Sequence, residues 1–109
     1  RYGFHKSTLN RLSNRLEIEY RHFAELGIQS EVRQLFPADC DRGMMFDEYE
    51  VVTLTRESAA VRDVAKLVSE RPSVLVCMEA EPSCCHRSRL ANPVSELTGL
   101  PIIHLRPTP

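Results

Sequence analysis

Residues 57–105 alternate between two hydrophobic patterns, and this alternation constrains the fold more than any other feature of the chain. Ala60, Val61, Val64, Leu67 and Val68 recur at helical spacing within residues 57–69, and Arg71-Pro72 closes that helix. "SVLVC" (residues 73–77) is a short, near-continuous apolar run, as a buried parallel strand requires. A second helix is expected over residues 85–97, with Pro93 as an internal kink and Gly99 as its stop. "PIIHL" (residues 101–105) is a second strand-like run. Helix, strand, loop, helix, strand predicts an α/β unit with right-handed, parallel crossovers.

The first half is less regular. Residues 4–16 read as an amphipathic helix, with Leu9, Leu12 and Leu16 on one face and Ser7 as its cap. "IEYRHF" (residues 18–23) alternates like a half-buried strand, with Ile18, Tyr20 and His22 on one side. Leu26-Gly27 ends it, and residues 28–45 sustain no period, which marks a long loop. Residues 46–55 fit a helix face through Phe46, Tyr49 and Val52-Thr53, although "VVTLT" has strand chemistry. The expectation for the whole chain is a single three-layer α/β domain, a small mostly parallel sheet with helices on both faces. No repeat, low-complexity segment or linker divides its 109 residues.

Composition narrows the function classes. Fourteen basic residues against fifteen acidic ones leave a formal net charge of −1, which argues against non-specific nucleic-acid binding. No apolar run approaches the roughly 18 residues that span a bilayer, so no membrane partner is expected. No signal peptide is visible, and the chain opens without a methionine. The four cysteines include the adjacent pair Cys84 and Cys85, and a bridge between neighbours is strained. With enough apolar residues for a core, the chain is not expected to need a disulfide framework, and a reducing compartment, the cytoplasm, is the expectation.

The chemistry is concentrated in "CMEAEPSCCHRSRL" (residues 77–90). In an open parallel sheet, ligands bind beyond the carboxyl ends of the strands. Cys77 ends one strand, the helix begins near Cys85, and Arg87 and Arg89 lie in its first turn. Unpaired N–H groups at a helix start attract anions, and a guanidinium suits phosphate or carboxylate. Cys85 is the first candidate nucleophile because a helix start beside His and Arg lowers a thiol pKa; Cys77 is the second. His86 is a candidate base, although neighbours on a helix point about 100° apart and need not touch. His22 and His104 reach the same rim if their strands are parallel. Glu79 or Glu81 would orient a histidine or bind a substrate group.

Each of these residues also has a plainer role. Cys77 and Cys85 serve equally as small buried hydrophobes. Arg87 can pair with Glu79 or Glu81, and His22 and His104 can be half-buried structural histidines. "FDEYE" (residues 46–50) reads as a solvated helix face carrying a buried aromatic pair rather than as a carboxylate site. The C-x6-C-C-H spacing is not that of paired zinc ligands, so no metal is assigned. There is no C-x5-R phosphatase loop, no G-x-G-x-x-G and no Walker loop.

These residues resemble the signature of the DUF488 family, C-x-E-x-x-P-x-x-C-H-R followed by a helix and a strand ending in His-Leu. The matching positions are Cys77, Glu79, Pro82, Cys85, His86, Arg87 and His104. The N-terminal part is similar to the family's F-x-x-x-x-L helix and its G-I-x-Y-x-H-x-x-x-L-G segment through Phe4, Leu9, Ile18, Tyr20, His22, Leu26 and Gly27. The family continues that turn with a second Gly and an Arg, for which Arg33 is only a loose counterpart. It also begins with a strand-helix-strand segment, including a D-V-R motif, ahead of the Phe4 region. The sheet is therefore expected to lack its N-terminal strands, leaving an edge that a second copy would pair as a homodimer.

The resemblance implies a shared pocket and names no reaction. Three functions stay open: an enzyme or binder of a small anionic, phosphate- or nucleotide-type ligand, with or without thiol chemistry; a non-enzymatic interaction or regulatory domain whose signature is a structural clasp; and a metal-binding domain. No particular cofactor follows from the sequence.

Overall fold

The computed structural model describes residues 6–28, 43–76 and 85–105. Helix α1 spans Lys6–Arg15. A single 3-10 turn, Ala24–Leu26, follows an irregular stretch. Helix α2 (Gly43–Glu48) runs without a break into a π-helical turn, Tyr49–Thr53, and then into the short α3 (Leu54–Arg56). Helix α4 is Ser58–Glu70 and α5 is Arg87–Thr98.

The helices sit where hydrophobic period and end signals place them. In α4 the buried side chains are Ala60, Val61, Val64 and Ala65, one stripe at helical spacing. Arg71 leaves the helix in extended conformation, as the residue before a proline prefers. In α5, Leu90 and Val94 are buried, Pro93 is carried inside the helix, and Gly99 closes it at φ 74 with its N–H on the Ser95 carbonyl. A positive φ is inexpensive for glycine, which has no Cβ. Helix α1 ends differently. Ile18 N–H bonds the Ser13 carbonyl at 2.8 Å, and Glu17, a residue with a Cβ, takes φ 57. The leucine face of α1 is not buried, and Ser7 lies inside the helix rather than capping it.

The α2–α3 run confirms the helical reading of residues 46–55 and corrects its face. Met45, Phe46, Tyr49 and Leu54 are buried, while Val52 is exposed. The step of five from Tyr49 to Leu54 exceeds the three or four of an α-helix. The π turn accounts for it: Leu54 N–H donates to the Tyr49 carbonyl five residues back, so one extra residue rotates the stripe.

The core joins α4 and α5 to the π turn and the 3-10 turn. Leu26, Tyr49, Leu54, Ala60, Val61, Val64, Ala65, Leu90 and Val94 form one buried cluster, with Phe23, Ile28, Val68 and Leu75 packed against it.

The three-layer α/β expectation is overturned: every element among the described residues is helical, and none is a strand. The runs at 73–76 and 101–105 carry strand composition but belong to no ladder among the described residues. Their side chains are also not buried: Val74 is 65% and Ile103 76% exposed. A strand exists only through a neighbour about 4.8 Å away, and apolar composition alone cannot supply one. Residues 18–23 likewise form no strand, and Ile18 and His22 are exposed. The sheet edge behind the homodimer expectation, and the strand-end rim behind the anion pocket, are therefore absent among the described residues.

Candidate functional site

The site is built at the N-terminal end of α5, where Cys85, His86 and Arg89 meet the α2–π run. Cys85 is 2% exposed, and its Sγ lies 3.9 Å from His86 Nδ1, so these neighbours do touch. The His86 carbonyl accepts from both Arg89 N–H and Leu90 N–H, at 3.0 and 3.1 Å, and the Ser88 hydroxyl donates to the Cys85 carbonyl at 3.2 Å. The first turn of α5 is thereby fixed from both sides.

The His86 ring packs edge-on against Tyr49, with centroids 5.1 Å apart and planes at 70°, an arrangement favoured by the opposite charges of a ring's face and edge. Tyr49 is 3% exposed, and its hydroxyl donates to the Leu26 carbonyl at 2.6 Å. Burial pushes the Tyr49 phenol well above its ordinary pKa, because the phenolate would be stripped of water. One aromatic side chain thus binds the start of α5 on one side and the 3-10 turn on the other.

Arg89 makes the second connection. Its guanidinium lies 2.6 Å from the Asp47 carboxylate and 3.4 Å from Glu50. It also stands 6.0 Å from the centroid of the Phe46 ring, within reach of a cation–π attraction. The Arg89 side chain is 26% exposed, but Asp47 is 69% and Glu50 43% exposed, so solvent screens the carboxylate side of both pairs.

The structure brings Cys85, His86 and Arg89 together among the sequence candidates. Arg87 is half-buried as the first residue of α5. His22 and His104 are exposed on irregular segments and share no hydrogen bond or ion pair with the cluster among the described residues. Cys77 and Glu79 lie outside the described residues, as do Cys40, Glu81, Cys84, Arg33 and Phe4. Tyr49, Asp47, Glu50 and Phe46 were missed as site residues. The reading of "FDEYE" as a solvated face with a buried aromatic pair holds, with Phe46 and Tyr49 buried and Asp47 69% exposed; the sequence carries no signal that this acid face meets Arg89.

The cysteine expectation also needs correction. Cys85 is disulfide-bonded. The strain of an adjacent bridge weighs only against a Cys84–Cys85 pair; it leaves Cys85 able to bridge a cysteine distant in sequence. In that state Cys85 carries no thiol and is not a nucleophile. No group of three or more His, Cys, Asp or Glu side chains suited to a metal ion occurs among the described residues. Among them too, no helix is long and apolar enough to cross a membrane.

The described residues are helical, and the start of α5 meets the α2–π run through His86 on Tyr49 and Arg89 on Asp47 and Glu50. The chain belongs to the DUF488 family, a domain of unknown function, whose model matches residues 1–94. No curated protein and no solved structure matches the chain.

Proposed function

We propose that this DUF488 domain is a non-enzymatic interaction or regulatory domain in which the start of α5, His86 of the signature together with Arg89 two residues beyond it, is a structural clasp. The observation that carries this reading is the Arg89 guanidinium committed to Asp47 and Glu50 beside the His86–Tyr49 ring contact. The Arg89 guanidinium is paired with two carboxylates that themselves face solvent. It holds α5 to the α2–π run instead of presenting charge to an incoming anion. Tyr49 then passes the restraint to Leu26, so three stretches remote in sequence are fastened at one point.

A second reading, an anionic-ligand pocket with thiol chemistry, is favoured by one observation: Cys85 Sγ sits beside His86 Nδ1. On reduction such a pair supplies a thiol with an adjacent base. Arg87, opening α5, would be its anion-binding group.

A thermal-shift screen separates the two. Wild type, Arg87→Ala and Arg89→Ala are each tested with nucleotides, phosphosugars and divalent metals. The clasp reading expects lowered midpoints for the variants without ligand and no specific ligand response in wild type. A variant that keeps the wild-type midpoint while losing a saturable ligand shift would replace the clasp with the pocket, and a stoichiometric metal response would replace it with a metal site.

A further inference from the structure

Helix α1 has an apolar face that it does not bury. Leu9 and Leu12 lie on one side, and Leu16 extends the stripe, its N–H on the Leu12 carbonyl at 3.2 Å. Leu9 is half-buried, Leu12 42% and Leu16 69% exposed. At about 100° per residue, Lys6 and Arg15 flank this stripe on opposite sides, each about 60° from its edge. The helix holds three cations, Lys6, Arg11 and Arg15, and no acid, and none of the three is in an ion pair among the described residues. A ten-residue helix is marginal in water unless its apolar face is packed.

A groove of matching character lies elsewhere on the domain. The 3-10 turn and the α2–π–α3 run line a cavity of about 330 Å³. Ile28, Met45, Tyr49 and Val52 give it apolar walls, and Glu25 and Glu48 stand among them. Both acids are exposed and in no ion pair among the described residues, whereas Glu57, also in the lining, pairs with Arg56 at 3.4 Å. The clasp holds both walls: His86 and Arg89 fix the α2–π run, and the Tyr49 hydroxyl fixes the 3-10 turn at Leu26.

We propose that α1 of one copy docks in this groove of a second copy, in a two-fold dimer where each domain gives a helix and receives one. The proposal rests on the interaction-domain reading above and names its partner. The leucine stripe meets the apolar walls, as an amphipathic helix meets a groove, and Lys6 and Arg15 meet Glu25 and Glu48. Docking thus removes apolar surface from water and pairs cations with acids that have no partner in their own chain among the described residues. Reciprocal exchange closes the assembly at two copies, since a one-way contact would leave a helix and a groove open at its ends. An anionic lipid surface fits less well: three leucines are a small face for a bilayer, and the acids of the groove have no counterpart there.

Sedimentation velocity of the full chain over a concentration series tests this. Wild type is expected to rise from the 12.5 kDa monomer to twice that mass, and to fall back as salt is raised. Leu12→Glu and the double variant Glu25→Lys, Glu48→Lys are each expected to stay monomeric with wild-type circular dichroism, since all three positions are exposed. Mixed together, the two variants are expected to pair one to one, because the first keeps an intact groove and the second an intact helix. The docking is overturned if wild type stays monomeric throughout, if either variant dimerises as wild type does, or if the mixture remains monomeric. A monomeric wild type that sediments with phosphatidylserine vesicles, and loses this with Leu12→Glu, assigns α1 to a lipid surface instead. Amide exchange over residues 43–56 in Arg89→Ala reads the clasp separately. Faster exchange there with a monomeric wild type sinks the docking alone; unchanged exchange with dimerisation intact sinks the clasp alone.

Discussion

The hydroxyl of Tyr49 is bonded to the carbonyl of Leu26, 23 residues earlier in the chain, at 2.6 Å and away from solvent. Removing that hydroxyl leaves a buried carbonyl without its partner, which costs the desolvation of that group as well as the bond. Tyr49→Phe should therefore destabilise the domain by about 1–3 kcal/mol in denaturant unfolding while keeping its helical content. A loss below a few tenths of a kcal/mol would show that the carbonyl finds water instead.

The same residue sets an alkaline limit. Burial raises the Tyr49 pKa in the folded state above that of an unfolded phenol, near 10. The stabilising difference is fully present below that unfolded value. As pH rises past about 10, unfolded chains release the phenolic proton and the folded one keeps it, so stability falls by up to about 1.4 kcal/mol per pH unit. Unfolding free energies between pH 8 and 11 should show this slope in wild type and a shallower one in Tyr49→Phe. Equal slopes would mean that Tyr49 is not the group responsible.

Arg89 is expected to matter through geometry as well as charge. Its fork reaches Asp47 and Glu50 while its plane lies near Phe46. Arg89→Ala should cost about 1–2 kcal/mol, more than a surface pair, because packing on Phe46 is lost with the charge. Arg89→Lys should recover only part of this, since an ammonium cannot fork between two carboxylates. Raising salt should narrow the gap between wild type and Arg89→Ala; a gap insensitive to salt would assign the effect to packing alone.

Glu17 supplies a prediction of opposite sign. It takes φ 57 at the end of α1, where the family's G-I-x-Y segment has glycine. A Cβ is strained in that region, so Glu17→Gly should raise the unfolding free energy by about 0.5–1 kcal/mol. An unchanged or lowered value would show that the α1 terminus does not hold this conformation in solution.

How much of this was legible in the sequence differs by element. Helices α4 and α5 could be read to within a residue or two, because Ala60-Val61-Val64, Pro72 and Gly99 are local signals for local structure. The sheet could not, because "SVLVC" and "PIIHL" record composition, whereas a strand depends on what lies beside it. The π turn escaped because one inserted residue moves the buried position after Tyr49 from Val52-Thr53 on to Leu54, and no local signal marks the insertion. At the site, Cys85, His86 and Arg89 stood out by chemical type. Their partners Asp47, Glu50 and Tyr49 lie some 35 to 45 residues away, where only the folded chain shows which acids face which cation.

The central claim is that the start of α5 fastens the α2–π run to the rest of the domain. Amide exchange over residues 43–56 in a His86→Ala, Arg89→Ala double variant measures this directly. The clasp predicts exchange at least about tenfold faster there than in wild type, with α4 close to its wild-type protection. Wild-type rates over residues 43–56 in that variant would contradict it.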